Sequence, residues 1–199
     1  MKSFLVSEIT QGACYNLLFG GIAPRPVGFI STVNLEGQPN LAPFSSVQAL
    51  SSAPPFVCVS FVRKSNGEFK DTLRNIRATK EFVVNSIHEE MLSGIVKAAA
   101  EHPSSVNEFS FGFTQVKSDL VKPPRVGESK FQLECRFHQE VALGTEADLV
   151  IGEVLKIHID ESAYDAGRVN SEKLELIGRL GGPKFCKVGE VVTMKVPTV

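Results

Sequence analysis

The sequence predicts a mainly β protein, an antiparallel barrel with helices at its periphery. Strand-like runs outnumber helical ones along the chain. Short turns separate most neighbouring runs, so consecutive strands can pair antiparallel. A sheet of that kind removes its exposed edges by closing on itself. The 199 residues, 43% hydrophobic and 22% charged, have ordinary globular composition and fit one domain spanning 1–199. A chain of this size buries roughly 70% of its unfolded surface, so it needs no disulfide staple.

Residues 1–23 form a leading segment, and its apolar run Tyr15–Phe19 is expected to cover a sheet edge. The hairpin that follows organises the chain. Its first strand, Pro24–Val33, is β-branched and aromatic, as a pleated, half-buried surface favours. Gly37 in the turn stands where positive φ is needed. The return, Gln38–Val47, is interrupted by Pro43, which marks an edge or bulged strand. Ser51–Pro55 is a connector, and Phe56–Val62 is nearly all apolar, reading as a central strand covered on both faces. After the polar turn Arg63–Gly67, Phe69, Leu73 and Ile76 share one face of a short helix that Asp71 is placed to cap.

Glu81–Ile87 reads as another strand, and His88–Ala100 as a helix with Met91, Leu92, Ile95 and Val96 on one face. Part of 101–112 is expected to be a lid or a dimer contact; His102–Ser105 in it is loop, and the aromatic cluster Phe109, Phe111 and Phe113 reads as core or interface rather than a stacking platform. Pro123–Gly127 leads to two long strand runs, Phe131–Leu143 and Leu149–Ile159, joined by a hairpin turn. Asp165–Glu172 is polar loop, Leu174–Phe185 a strand ending in a Gly-rich turn, and Val191–Val196 a short closing strand.

A net charge of −1 and a pI near 6.4 leave no electrostatic footprint for nucleic acid or an anionic membrane. The four cysteines are scattered without a C-x-x-C pair, so no zinc or dithiol site is expected. Cys58 and Cys135 read as buried hydrophobes, and free thiols suit a reducing cytoplasm. No basic region with a following apolar core opens the chain, and no apolar run is long enough to span a bilayer. A cytoplasmic location is the expectation. The four histidines are not clustered at metal-ligand spacing, so no metal site is expected, and His158 reads as a solvated strand residue. Gly181-Gly182 is too short for a dinucleotide fingerprint.

The hairpin carries an unusual polar load. Ser31, Thr32, Asn40, Ser45 and Ser46 lie on or beside apolar runs, and buried hydroxyls and amides need partners. A flat, polar, phosphorylated ligand would supply them. Pro24-Arg25-Pro26-Val27 with Ile30-Ser31-Thr32, then Gly37-x-x-Asn40-Leu41-Ala42-Pro43-Phe44-Ser45, resembles the opening motif of the flavin reductase-like, FMN-binding split-barrel family. Pro54-Pro55, Lys70-Asp71-Thr72 with Asn75-Ile76, Phe82–Asn85, Glu108-Phe109, Leu133–Cys135 and Ile151–Val154 follow in that family's order. Arg179-Leu180-Gly181-Gly182 is similar to its C-terminal motif. The resemblance covers nearly the whole chain. It implies an antiparallel split β-barrel, flavin mononucleotide (FMN) as cofactor, and a homodimer with FMN at or near the subunit interface.

With that resemblance, Ser31, Thr32 and Ser45 become polar contact candidates, Asn40 serves the phosphate or ribityl side, and Arg25 anchors the mouth. Lys70, Asp71 and Thr72 open the short helix, whose N-terminus favours anions. Ala42, Pro43 and Phe44 supply backbone and apolar wall to the ring. Ser60 and Phe61 lie at a strand end facing the ring edge, Arg63 and Lys64 are further phosphate candidates, and Arg179 reaches in from the C-terminal part or a partner subunit. Flavin accepts hydride at N5 itself, so the fold supplies orientation and no side chain is expected as general acid or base. The implied activity is NAD(P)H-dependent flavin reduction, with electrons passing to free flavin, a monooxygenase or another redox partner. Two readings stay beside it: a flavoredoxin-like FMN electron carrier without nicotinamide turnover, and a split-barrel protein that holds another ligand.

Overall fold

The computed structural model describes residues 1–195. The leading segment folds into helix α1 (Gln11–Gly21), with the Thr10 hydroxyl accepting from the Ala13 N–H at its start. None of its residues is buried, and its end lies against the C-terminal part of the chain, where a Cβ on Gly181 would come within 3.2 Å of Gly20 Cα. Apolar residues fall all round this helix, so no single stripe is available to bury.

Strands β1 (Arg25–Pro26), β2 (Gly28–Val33), β3 (Pro39–Phe44), β4 (Val47–Ser52) and β5 (Pro55–Val62) follow. Gly37 adopts φ 81° in the β2–β3 turn, where the Asn34 carboxamide oxygen accepts from the Glu36 and Gln38 N–H groups. Helix α2 (Asp71–Thr79), strand β6 (Glu81–Asn85) and helix α3 (Leu92–Ala98) come next. Lys70 holds the cap position of α2 and Asp71 is its first helical residue, so Asp71 does not cap the helix. Its carboxylate is drawn instead to Lys64, Arg74 and Ser104.

The remaining strands are β7 (Gln115–Val116), β8 (Arg125–Val126), β9 (Phe131–Leu143), β10 (Ala147–Ile159), β11 (Tyr164–Asp165) and β12 (Arg168–Val169). Helix α4 (Ser171–Leu174) and strands β13 (Ile177–Arg179) and β14 (Phe185–Lys187) complete the described chain. The expected strand Leu174–Phe185 is thus broken, by the left-handed Glu175 and a turn with Gly182 at φ 61°. Residues 191–195 form no strand; their apolar side chains stay exposed, and without a buried face nothing fixes a register. Val196 lies outside the described residues.

Seven strands make one antiparallel sheet in the order β3-β2-β6-β9-β10-β5-β4. β5 is paired on both sides, by β10 and β4, and consecutive residues Val57, Cys58 and Val59 are buried, so both its faces are covered as its apolar run suggests. The sheet curls into a barrel, bringing Phe44 on β3 edge-on against Phe61 on β5, 4.6 Å between centroids. Bulges between Ile151 and Gly152 and between Val154 and Lys156 bend β9 and β10. Gly152 leaves room for a ring, since a Cβ there would lie 2.3 Å from Phe82 Cζ.

One apolar cluster, around Ile30, Val59, Phe61, Ile76 and Phe82, fills the barrel beneath α2. A second, around Phe29, Leu41, Ile95, Phe109 and Phe113, lies under α3. Phe109 and Phe113 are core, as the sequence suggests, and Phe113 packs edge-on against Phe29. The smaller sheet β1-β13-β14 sets Arg25 opposite Arg179. Among the described residues no helix is long and apolar enough to cross a membrane.

Candidate functional site

β3 ends the large sheet and pairs only with β2. In an antiparallel ladder, alternate residues turn both N–H and C=O to the same side. The Leu41 N–H leaves the ladder to bond Glu108 Oε2 at 3.1 Å. Residues 39, 41 and 43 therefore face the free edge, and positions 39 and 43 are prolines. This stretch offers outward carbonyls and no unclaimed N–H.

A two-lobed cleft runs along the edge, and its lobes meet at Pro43 and Ala99. The polar lobe, about 50 Å³, is walled by Asn40, Lys64, Lys70 and Thr72, with residues 98–102 facing them. The apolar lobe, about 360 Å³ and open to solvent, lies between Val27, Ile95, Val96 and Phe185. Only the apolar lobe falls in the size range of small-molecule sites, and the polar lobe is a narrow extension of it.

Charge in the polar lobe is unevenly spent. Lys64 Nζ lies 3.1 Å from Asp71 Oδ2, while Asp71 Oδ1 accepts from Arg74 and from the Ser104 hydroxyl at 2.9 Å. Glu101 accepts from the Ser65 N–H at 3.0 Å and its hydroxyl at 2.8 Å. Those bonds, with Lys70 and Lys64 nearby, hold the Glu101 carboxyl below its ordinary range. Lys70 has no carboxylate within ion-pair distance among the described residues. Glu108, 7% exposed, goes the other way: burial raises its carboxyl, against the lowering effect of the Leu41 N–H.

Of the residues singled out in the sequence, Asn40, Ala42, Pro43 and Phe44 line the polar lobe with Lys64, Lys70, Asp71 and Thr72. Ser45 and Arg179 line the apolar lobe, where Arg179 stacks on Phe185 at 4.6 Å and donates to the Gly182 carbonyl at 2.6 Å. Six others are placed elsewhere. Ser31 is fully buried and donates to the Pro124 carbonyl at 2.5 Å. Thr32, also fully buried, accepts from the Asn40 and Asn75 amides at 3.3 and 3.1 Å. Phe61 belongs to the barrel core, and Ser60 lies outside both lobes.

Arg63 is spent on structure. Its guanidinium stacks 3.7 Å from the Phe69 centroid, with Arg77 3.9 Å away on the same ring, and pairs with Asp148 at 3.3 Å. Arg25 is buried as well, not at the mouth. It donates to the carbonyls of Phe19, Ile22 and Leu180, which staples α1 to the turn after β13. Sequence reasoning missed Glu101, His102 and Glu108 as lining residues; the Glu108-Phe109 pair was the one signal pointing to this segment.

His158 is also corrected. Its Nε2 lies 2.6 Å from Oε1 of the fully buried Glu134, and Asp119 joins them, all three ligand atoms lying within 4.8 Å. Glu134 accepts from the Asp119 and Leu120 N–H groups at 2.9 and 2.6 Å, and Asp119 is paired with Lys156 at 2.5 Å. The carboxylates here are already occupied by protein donors.

A split barrel with a cleft at its edge strand defines a class of flavin-binding proteins. The family model described as "Flavin reductase like domain" matches residues 20–173, and the chain belongs to that family. A protein of Aquifex aeolicus is 36% identical over 195 residues, covering 97% of this chain and 99% of its own. Nitrilotriacetate monooxygenase component B from Bacillus cereus is 36% identical, with a TM-score of 0.93 and 98% of both chains covered. The 2-nitrobenzoate 2-nitroreductase NbaA of Pseudomonas fluorescens is 28% identical, with a TM-score of 0.90 and coverage of 99% of this chain and 97% of that one.

Proposed function

We propose that this protein binds FMN in the cleft beside β3 and works as an NAD(P)H-dependent flavin reductase. Electrons pass from a nicotinamide through flavin to free flavin or another acceptor. The observation that carries the reading is the unpaired Lys70 at a polar lobe that continues into an apolar one. A phosphate needs donors and positive charge; a flat amphipathic ring needs apolar walls. The two lobes offer these in that order.

Lys70 at the start of α2 would hold the phosphate, helped by the helix N-terminus. Lys64 joins only by loosening its hold on Asp71. Asn40 donates its amide hydrogens to Thr32 and Thr72, which leaves Oδ1 to accept from a ribityl hydroxyl. Ala42, Pro43, Phe44 and Ser45 would wall the ring, with Arg179 and Phe185 bordering the open side. Bound flavin supplies the hydride chemistry; the chain orients it and keeps one face accessible.

The monooxygenase component and the nitroreductase among the similar structures support redox chemistry. The first also supports a monooxygenase as the partner that consumes reduced flavin. We further infer that residues 1–199 act as one domain, in a cytoplasmic homodimer. The test is a spectrum of the untreated purified protein, followed by stopped-flow mixing with NADH and with NADPH. Flavin absorbance that bleaches at a turnover-competent rate supports the reductase. A yellow protein that neither nucleotide reduces is an electron carrier, and a protein with no affinity for FMN overturns the reading.

A further inference from the structure

We propose that Glu108 is a positioning residue for the cleft. By accepting the Leu41 N–H it pins the outer edge of β3 and holds Asn40 and Pro43 where a ligand meets them. The ligand half of this inference rests on the FMN reading above; the strand half does not.

Glu108 opens a 3-10 turn, Glu108–Phe111, whose Asn107 side chain accepts from the Phe109 N–H at 3.1 Å. The turn itself is fixed. Phe109 and Phe113 are anchored in the apolar cluster under α3. Helix α3 presses on them so closely that a Cβ on Gly94 would lie 2.8 Å from the Phe111 carbonyl oxygen. A carboxyl carried on this turn has little freedom. It reaches one acceptor onto an edge strand at the single outward position between Pro39 and Pro43 that still has a hydrogen to donate.

Glu108 makes no ion pair among the described residues, and His102 only partly offsets the burial that disfavours its charge, so the role proposed for it rests on its acceptor oxygen. Burial favours the neutral acid, which agrees with that view. Without the bond, the Leu41 N–H would be stranded beside the core, at a cost large enough to move the strand. Asn40 and Ala42 flank Leu41, and both line the polar lobe.

The test compares full-length wild type, Glu108→Ala and Glu108→Gln. Glutamine keeps an acceptor oxygen and removes the charge. FMN affinity is read by flavin fluorescence, and Leu41 amide protection by hydrogen exchange without ligand. Glu108→Ala is expected to weaken FMN binding about tenfold or more and to expose the Leu41 amide, with Glu108→Gln within about threefold of wild type in both. Loss of affinity in Glu108→Gln with Leu41 still protected overturns the proposal, because charge would then be the operative property. Affinity retained in Glu108→Ala despite a freed Leu41 amide overturns it too. If Glu108→Ala fails to fold, Glu108→Gln decides alone by the same criterion. If wild type itself takes up no FMN, the flavin reading falls, and Leu41 protection alone judges the strand half.

Discussion

The side-chain amide of Asn40 donates to the Thr72 hydroxyl at 3.0 Å, tying the edge strand β3 to the first turn of α2. Thr32 accepts from the same amide and from Asn75, so β2, β3 and α2 share one buried polar network behind the polar lobe. Thr32→Val removes an acceptor that serves two amides. We expect a loss of about 1–3 kcal/mol of stability, the range for stranding buried donors, measured by urea unfolding. An unchanged midpoint would mean that the network tolerates the gap and does not brace the cleft.

Lys70 and Lys64 provide an internal contrast. Lys70→Ala should weaken FMN binding by about 1–3 kcal/mol in a fluorescence titration, less at high salt. Lys64→Ala should cost less, since Lys64 is already neutralised by Asp71. Equal losses, or none for Lys70 at physiological salt, would remove Lys70 from the phosphate site.

Gly152 makes a packing prediction independent of any ligand. Alanine there would drive a methyl into the Phe82 ring at a bulge where two long strands bend. Gly152→Ala should destabilise the protein by about 1–3 kcal/mol through overpacking. Thermal unfolding checks it, and a neutral result would show that Phe82 can move aside.

The acid limb of stability should carry the mark of Glu134. Burial opposes its ionisation, but the Asp119 and Leu120 N–H groups and His158 outweigh it, so its pKa lies below the ordinary 4.5. A lowered folded pKa means that the unfolded chain binds the proton more tightly. The stabilisation is complete above the unfolded value and drains away as pH falls through the folded one. Glu134→Gln sets amide hydrogens against N–H donors, so it should lower stability near neutrality and flatten the acid limb. Denaturation curves across the pH range test this; parallel profiles would assign the acid limb to another group.

The hairpin, the α2 face and the long β9–β10 pair were legible because each rests on local chemistry: alternation, turn residues, helical spacing. Asn40, Pro43 and Lys70 were nominated by the family resemblance together with their own chemistry, and the structure sets all three on the polar lobe. Ser31 and Thr32 show the limit. Their hydroxyls are visible in the sequence, but the groups that satisfy them, Pro124 and the Asn40 and Asn75 amides, are set by tertiary packing. Arg63 was misplaced because Asp148 and the Phe69 ring claim it only once β5 and β10 are paired. Glu108 acts through a backbone N–H, and backbone demand leaves no side-chain signature to read.

The Pro39, Glu108 and Pro43 arrangement also bears on how these molecules meet one another in concentrated solution. A foreign polypeptide laid against that border would find nothing willing to give it a proton, so the sheet cannot be extended there. At the far border, β4 is bonded only to β5 and lies largely exposed from Gln48 to Ser52. The border beside the cleft is therefore closed to growth of the sheet by a further chain, whereas β4 has no proline between Val47 and Ser52 to close the other.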